Sequence, residues 1–242
     1  MASFVAQGHP LHLYAYTVPR AVPEGVTLVD ARTVLDHKHL FRHRQTGSVS
    51  PFSDWFRYRL LFDRGGIWSD ADVICLRPLL YDRPEVYAWQ EQRSVCGALL
   101  GLPPGHPLSA WMLECCEHPN RVLPYDDDAV RWRKWRRKLR GRGRSFIKWD
   151  EFGPGGLTKA ARHLGYIEKA LPFWHFYPIH HTNWHTVFDT SLSDNPGLLA
   201  ESRALHLWHE MFRSLPGFDK NARFPDSSVF EQLWRRYLDE DN

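Results

Sequence analysis

The stretch from Ser50 to Pro78 constrains this 242-residue chain most. Phe52, Trp55, Phe56, Tyr58, Leu60 and Leu61 give the apolar surface of a helix. Ser50 reads as its N-cap and Pro51 suits the first helical position. Gly65-Gly66 ends the helix, one glycine taking the left-handed conformation, and lets the chain reverse tightly. Ile67-Trp68-Ser69 then reads as a strand running into Asp70-Ala71-Asp72 and the apolar Val73 to Leu76, with Pro78 the next boundary. The helix and the strand that ends in two carboxylates are thereby placed to pack together.

Strand and helix patterns alternate through the rest of the chain. Strands are expected over 11–16, 26–29, 86–89, 95–100 and 203–208. A helix over 107–117 presents Leu108, Trp111, Met112 and Cys115 on one face. A basic segment is helical up to Gly141, a glycine-rich loop over 151–156 leads into a helix over 157–164, and Asp226 caps a last helix over 227–238. The pattern predicts an α/β sheet covered by helices on both faces. With 43% hydrophobic and 24% charged residues, disorder over the whole chain is excluded. No apolar run approaches the ~20 residues of a spanning helix, and the first residues lack the basic and apolar regions of a signal peptide. Cys75, Cys96, Cys115 and Cys116 show no C-x-x-C spacing, which points away from a zinc ribbon or disulfide framework and toward a reducing cytoplasm. Aromatic residues reach 14%, a content that suits a core and also the stacking of sugar rings.

Asp70 and Asp72 are the sharpest site candidates. In an extended segment residues i and i+2 point the same way, so the two carboxylates form one negative, oxygen-rich site. A hard divalent cation, Mg2+ or Mn2+, relieves their repulsion and prefers one or two carboxylates plus phosphate oxygens. A bare D-x-D is common and is more often a solvated turn. Here Asp54 and Arg57 lie on one face of the preceding helix, alone a surface ion pair worth roughly 0–1 kcal/mol. With Trp68 and the two aspartates they are expected to line one cleft.

The run Ser53-Asp54-Trp55-Phe56-Arg57-Tyr58 through Leu61, Gly65-Gly66, Trp68, Asp70 and Asp72 resembles a long signature, S-D-x-x-R-Y-x-x-L-x-x-x-G-G-x-[YW]-x-D-x-D. It is the signature of the DXD-containing glycosyltransferases of family 32 type, which include Och1-like mannosyltransferases, capsular-polysaccharide transferases and, more distantly, the large glucosylating toxins. Ser3-Phe4 through His9, Leu13 to Tyr16, Val22 to Val26 and Asp30-Ala31 are similar to the start of bacterial members. Phe152-Gly153-Pro154, Tyr177-Pro178, His206-Leu207-Trp208 and Lys220 extend the likeness. The resemblance implies a GT-A fold and a retaining transfer of a sugar from a UDP- or GDP-sugar to a glycan or lipid-linked acceptor, as in polysaccharide biosynthesis. By position it implies Asp70 and Asp72, with His206, at the metal (Mn2+ or Mg2+) and the donor diphosphate and ribose. Asp54 and Arg57 would hold the donor sugar, Trp68 would lie beside it, and His206 and Trp208 would close over the diphosphate. Members place a strand ahead of the S-F-x-x-x-G-H element, so the expectation is either a start upstream of Met1 or a sheet that lacks that first strand and part of the base site. One domain over 1–242 is expected, with a donor-binding core over 1–118, a basic helical insertion over 119–150, and an acceptor side with C-terminal closure over 151–242.

Net charge is only +3, yet 131–144 holds nine Lys or Arg and no acid. This segment reads as a solvated helix face or as a peripheral contact with the anionic inner face of a membrane, Trp132 and Trp135 being interfacial anchors. No nucleic-acid recognition motif accompanies the charge. His180, His181 and His185 lack the metalloprotease pattern, since Thr182 stands where Glu is needed. Asp126 to Asp128 read as a loop and helix cap, Gly153 to Gly156 as either a phosphate-approaching loop or a plain helix start, and Cys115-Cys116 as helix packing. Two other functions compete. Asp70-Ala71-Asp72-Val73 also matches the D-x-D-x-[TV] loop of haloacid-dehalogenase-like phosphatases, and a non-catalytic glycan- or membrane-binding module of the same fold is the third reading.

Overall fold

The computed structural model describes residues 1–238 except 194, 196, 214 and 220. In chain order the elements are α1 (Ala2–Ala6), β1 (Leu11–Ala15), β2 (Val26–Asp30), α2 (Ser50–Arg64), β3 (Gly66–Ser69), β4 (Val73–Cys75), β5 (Val86–Glu91), β6 (Ser94–Leu102), α3 (Pro107–Glu117), α4 (Asp128–Leu139), α5 (Pro154–His163), β7 (Ala204–His206), α6 (His209–Phe212) and α7 (Val229–Leu238), with short 3-10 turns between them. The α/β character expected from the sequence is present. Among the described residues the strands form three small sheets, β1-β2, β3-β6-β5 and β4-β7, rather than one. The reason lies at Asp70 to Asp72, which form a turn rather than a strand end, so β3 and β4 take different partners although they adjoin in sequence.

The chain groups into two compact units. The first holds Met1–Val29, Ser69–Leu80 and Pro172–Asn242; the second holds Asp30–Trp68 and Tyr81–Leu171. In the first, β4 and β7 are antiparallel with Val73 opposite His206 and Cys75 opposite Ala204. The α1 residue Ser3 accepts the Cys75 N–H (3.0 Å), and Tyr237 of α7 donates to the Cys75 carbonyl (3.2 Å), so both helices are tied to β4. Leu76, Ile179, Val187, Phe188, Leu205, Phe212 and Leu233 form its core. The Phe188 ring sits 4.9 to 5.4 Å from those of Phe212, Phe218, Phe224 and Phe230, which accounts for much of the phenylalanine content.

In the second unit β6 is the central strand. Every residue from Val95 to Leu102 is buried, as its unbroken apolar run requires. β5 pairs with it antiparallel, Val86 opposite Gly101. α2 and α5 pack on β6, α3 packs on α2 and α5, and Tyr58 of α2 donates to the Phe152 carbonyl (2.8 Å).

Local boundaries differ from the sequence reading for identifiable reasons. Ser50 lies inside α2; Val49 is the N-cap, and the Ser48 hydroxyl accepts the Ser50 N–H (3.1 Å). α5 begins at Pro154, within the glycine-rich loop, because Asp150 takes the Gly155 N–H on Oδ1 (2.8 Å) and the Gly156 N–H on its carbonyl (3.1 Å). Those N–H groups are thus used internally. α7 starts at Val229, where Ser228 and not Asp226 accepts the Glu231 N–H (3.2 Å); Asp226 pairs with Arg235 instead.

Gly65 ends α2 with φ 66° and ψ −157°, a positive-φ region open essentially to glycine though not the left-handed helical one. A Cβ there would lie 2.5 Å from Pro104 Cδ and 2.8 Å from its backbone nitrogen. Gly66 also has positive φ, 93°, but a Cβ would meet nothing within 4 Å. Gly65→Ala is therefore expected to cost about 3 kcal/mol, a melting drop of roughly 6–12 °C, and Gly66→Ala only about 1 kcal/mol. Equal losses in thermal melts of the two variants would refute the Pro104 contact as the deciding one.

Candidate functional site

The β4–β7 ladder builds the acidic site of the first unit. Because Val73 faces His206, Asp72 is carried beside the histidine: His206 Nε2 lies 3.1 Å from Asp72 Oδ2. Ligand atoms of Asp70, Asp72 and His206 all lie within 4.8 Å of one another. Asp72 Oδ2 also accepts the His209 N–H (2.9 Å). Burial by itself would raise the Asp72 pKa, but the hydrogen bond and charge of His206 and the His209 N–H outweigh it and hold the carboxyl at about 2.

Trp208 makes this arrangement possible. It is the non-glycine residue with positive φ among the described residues (φ 56°, ψ 45°), a conformation costing roughly 1–2 kcal/mol. The kink turns the chain at the end of β7, so that His206 offers its ring and His209 its N–H to one carboxylate. The indole is held by donation to the Ile179 carbonyl (2.8 Å) and packs 4.2 Å from the His206 ring and 5.8 Å from that of Tyr177. His209 escaped the sequence reading because its contribution is a backbone group, which no residue type announces.

The three side chains suit a divalent cation. Two carboxylates and an imidazole converge, the imidazole in a residue only 7% exposed and its Nε2 facing Asp72. Oxygen-rich donors with one nitrogen fit Mn2+ well and Mg2+ somewhat less.

The second unit holds Asp54, Arg57 and Trp68. Arg57 Nη1 lies 3.2 Å from Asp54 Oδ1, with side chains 6% and 11% exposed, so the pair is buried rather than on the surface. The guanidinium carbon stands 5.2 Å from the Trp68 ring centre, within cation–π range. Space for it is left by Gly97 of β6, where a Cβ would come within 2.4 Å of Arg57 Nη1. Gly97 was not among the residues singled out from sequence; a lone glycine inside an apolar strand was the available signal, marking close approach by another group.

Other sequence candidates take structural roles. Asp127 caps α4 by accepting the Val130 N–H (2.8 Å), and Asp126 pairs with buried Lys134 (2.8 Å). His180 accepts the Thr182 N–H at the start of the 3-10 helix His181–Val187. All four cysteines are buried and unbridged. Lys220 lies outside the described residues. A cavity of about 340 Å³ in the second unit is lined by, among others, Tyr125, Asp126, Lys134, Asp150 and Lys159, and by none of the seven site residues above.

Two family models match the chain: "Glycosyltransferase sugar-binding region containing DXD motif" over residues 25–94, and "Alpha 1,4-glycosyltransferase conserved region" over residues 147–237. The first spans Asp54, Arg57, Trp68, Asp70 and Asp72; the second spans His206 and Trp208. Together with the relative below, these matches support a DXD-containing glycosyltransferase. It is similar to an alpha-1,4-N-acetylglucosaminyltransferase of Homo sapiens, 30% identical over 232 residues. That likeness covers 86% of this chain and 58% of the relative's length. No solved structure matches the chain. The phosphatase reading of Asp70-Ala71-Asp72-Val73 gains no support from these matches. No helix among the described residues is long and apolar enough to cross a membrane.

Proposed function

We propose that this chain transfers a sugar, with retention of anomeric configuration, from a nucleoside-diphosphate sugar to a glycan or lipid-linked acceptor. The observation that carries this is the convergence of Asp70, Asp72 and His206, whose ligand atoms all lie within 4.8 Å of one another. Asp70, Asp72 and His206 would hold a divalent ion, with Mn2+ preferred. Bound there, it supplies positive charge against the diphosphate that leaves.

The chain's own residues do the rest. Asp72, whose Oδ2 accepts the His209 N–H and lies 3.1 Å from His206 Nε2, would be a fixed carboxylate ligand for that ion. Asp54 and Arg57 orient the donor sugar through its hydroxyls, Asp54 accepting and Arg57 donating. A buried carboxylate–guanidinium pair costs desolvation that an apolar pair would not, which favours a binding role over a stabilising one. Trp68 fixes the Arg57 fork from one side, and Gly97 leaves it room from the other. Trp208 holds the turn that aligns His206. A UDP-sugar, with UDP-N-acetylglucosamine foremost, is the first donor to try, since the relative's name carries an N-acetylglucosaminyl transfer with an alpha-1,4 linkage.

Thermal melts with UDP or GDP, with and without Mn2+, test the reading without knowledge of the acceptor. At 100 times its dissociation constant the matching nucleotide stabilises by about 2.7 kcal/mol, a rise of roughly 5–10 °C. The rise should require Mn2+ and vanish in Asp72→Asn. No rise with either nucleotide, or a rise that survives in Asp72→Asn, would overturn the proposal. A Mn2+-dependent rise without donor hydrolysis or transfer would leave the binding-module reading in its place.

Gly97→Ala separates the roles of the two clusters. Its methyl displaces the Arg57 guanidinium but touches no metal-binding group. Donor hydrolysis or transfer should fall at least tenfold while the UDP–Mn2+ melting shift persists. Loss of both together would contradict the assignment of Arg57 to the sugar.

A further inference from the structure

The helix α4 is built with its hydrophobic stripe facing outward. At about 100° per residue, Trp132, Trp135 and Leu139 fall within roughly 60° of one another on the helix. They are 56%, 55% and 66% exposed. The opposite face carries Lys134 and Arg137, which are 3% and 4% exposed. Lys134 pairs with Asp126 (2.8 Å), and Arg137 makes a two-pronged pair with Glu151 (2.7 and 3.0 Å) and a bond to Asn120 Oδ1 (2.5 Å). Charges are buried and aromatics shown to solvent, the reverse of an ordinary surface helix.

Cations flank the stripe on both sides. Arg131 and Lys138 lie on one flank, Arg133 and Arg140 on the other, all exposed. Arg136 covers the Trp132 ring, its guanidinium carbon 4.3 Å from the ring centre. Just past the helix Arg142 lies over Phe146, which is 40% exposed. The acids of this segment, Asp127 and Asp128, sit at the helix N-terminus, ahead of the stripe.

We infer that α4 is a membrane-docking surface that lies flat on an anionic lipid bilayer, inserting Trp132, Trp135 and Leu139 at the headgroup level. Indole rings favour that depth, and an apolar stripe of three side chains is too small for stable anchoring without help from charge. Each flanking cation near an anionic surface strengthens binding roughly fivefold. The buried ion pairs of Lys134 and Arg137 fix which face points out, so the surface is presented ready-made. This docking is independent of the sugar-transfer reading.

Sedimentation of the full chain with lipid vesicles tests it. Vesicles of phosphatidylcholine with about one third phosphatidylglycerol should carry the protein down, and pure phosphatidylcholine vesicles should not. Trp132→Ser/Trp135→Ser keeps every charge and should weaken binding at least tenfold. Arg133→Gln/Arg140→Gln keeps the stripe and should weaken it while flattening its salt dependence. Both pairs are exposed, so melting temperatures should stay near that of the wild type. No binding to anionic vesicles, or a tryptophan variant that binds as the wild type does, would overturn the inference. Binding to a duplex oligonucleotide with none to vesicles would also overturn it and make the cationic face a nucleic-acid surface.

Discussion

Asp72 and His209 stand 137 positions apart, and a ladder of three residue pairs between β4 and β7 brings them within a hydrogen bond. Closing so long a loop has an entropic cost, and so short a ladder cannot offset it alone. The ladder is extended at both ends, where Leu207 donates to the Asp72 carbonyl and Leu76 to that of Arg203, each at 2.9 Å. Ser3 and Tyr237 then secure Cys75 from two helices. The packed phenylalanines around Phe188 supply the apolar burial that keeps the first unit closed. Two carboxylates held as close as Asp70 and Asp72 are tolerable only on so fixed a frame.

Buried charge is used in two ways in this chain. Arg137 has both prongs on Glu151 and further bonds to Asn120 and the Pro119 carbonyl, a saturated arrangement that sets the orientation of α4. Asp54 and Arg57 are equally buried, Arg57 Nη1 lying 3.2 Å from Asp54 Oδ1, and the guanidinium stands against an aromatic face and a glycine-sized space. A saturated network is a structural device. The Asp54–Arg57 pair lies instead within the residues matched by the sugar-binding family model.

Much of this was legible in the residues. The helix over Ser50–Arg64, the glycine stop, the late strand and the basic helix follow from apolar spacing and breaker residues, while the H-x-W element came from the family resemblance. The single sheet did not follow. Whether Asp70 to Asp72 end a strand or make a turn depends on which partners β3 and β4 find, and those lie far away in the chain. The starts of α5 and α7 were misplaced because side chains that compete for backbone N–H groups, Asp150 and Ser228, set them. Asp54 and Arg57 resembled a surface pair because spacing reports neighbours on one helix, not what covers them.

Residue types and spacing by themselves carried the resemblance to a known family, the carboxylate pair and the local basicity of 131–144, since each rests on neighbours within a short stretch. Tertiary structure alone decided that His206 and the His209 N–H converge on Asp72. It likewise decided that Gly97 makes room for Arg57, and that α4 shows its tryptophans and buries two cations. The physical reason is common to all three. Each depends on burial and on contacts between distant segments, and a periodic pattern can define the faces of a helix without saying which of them the rest of the chain will cover.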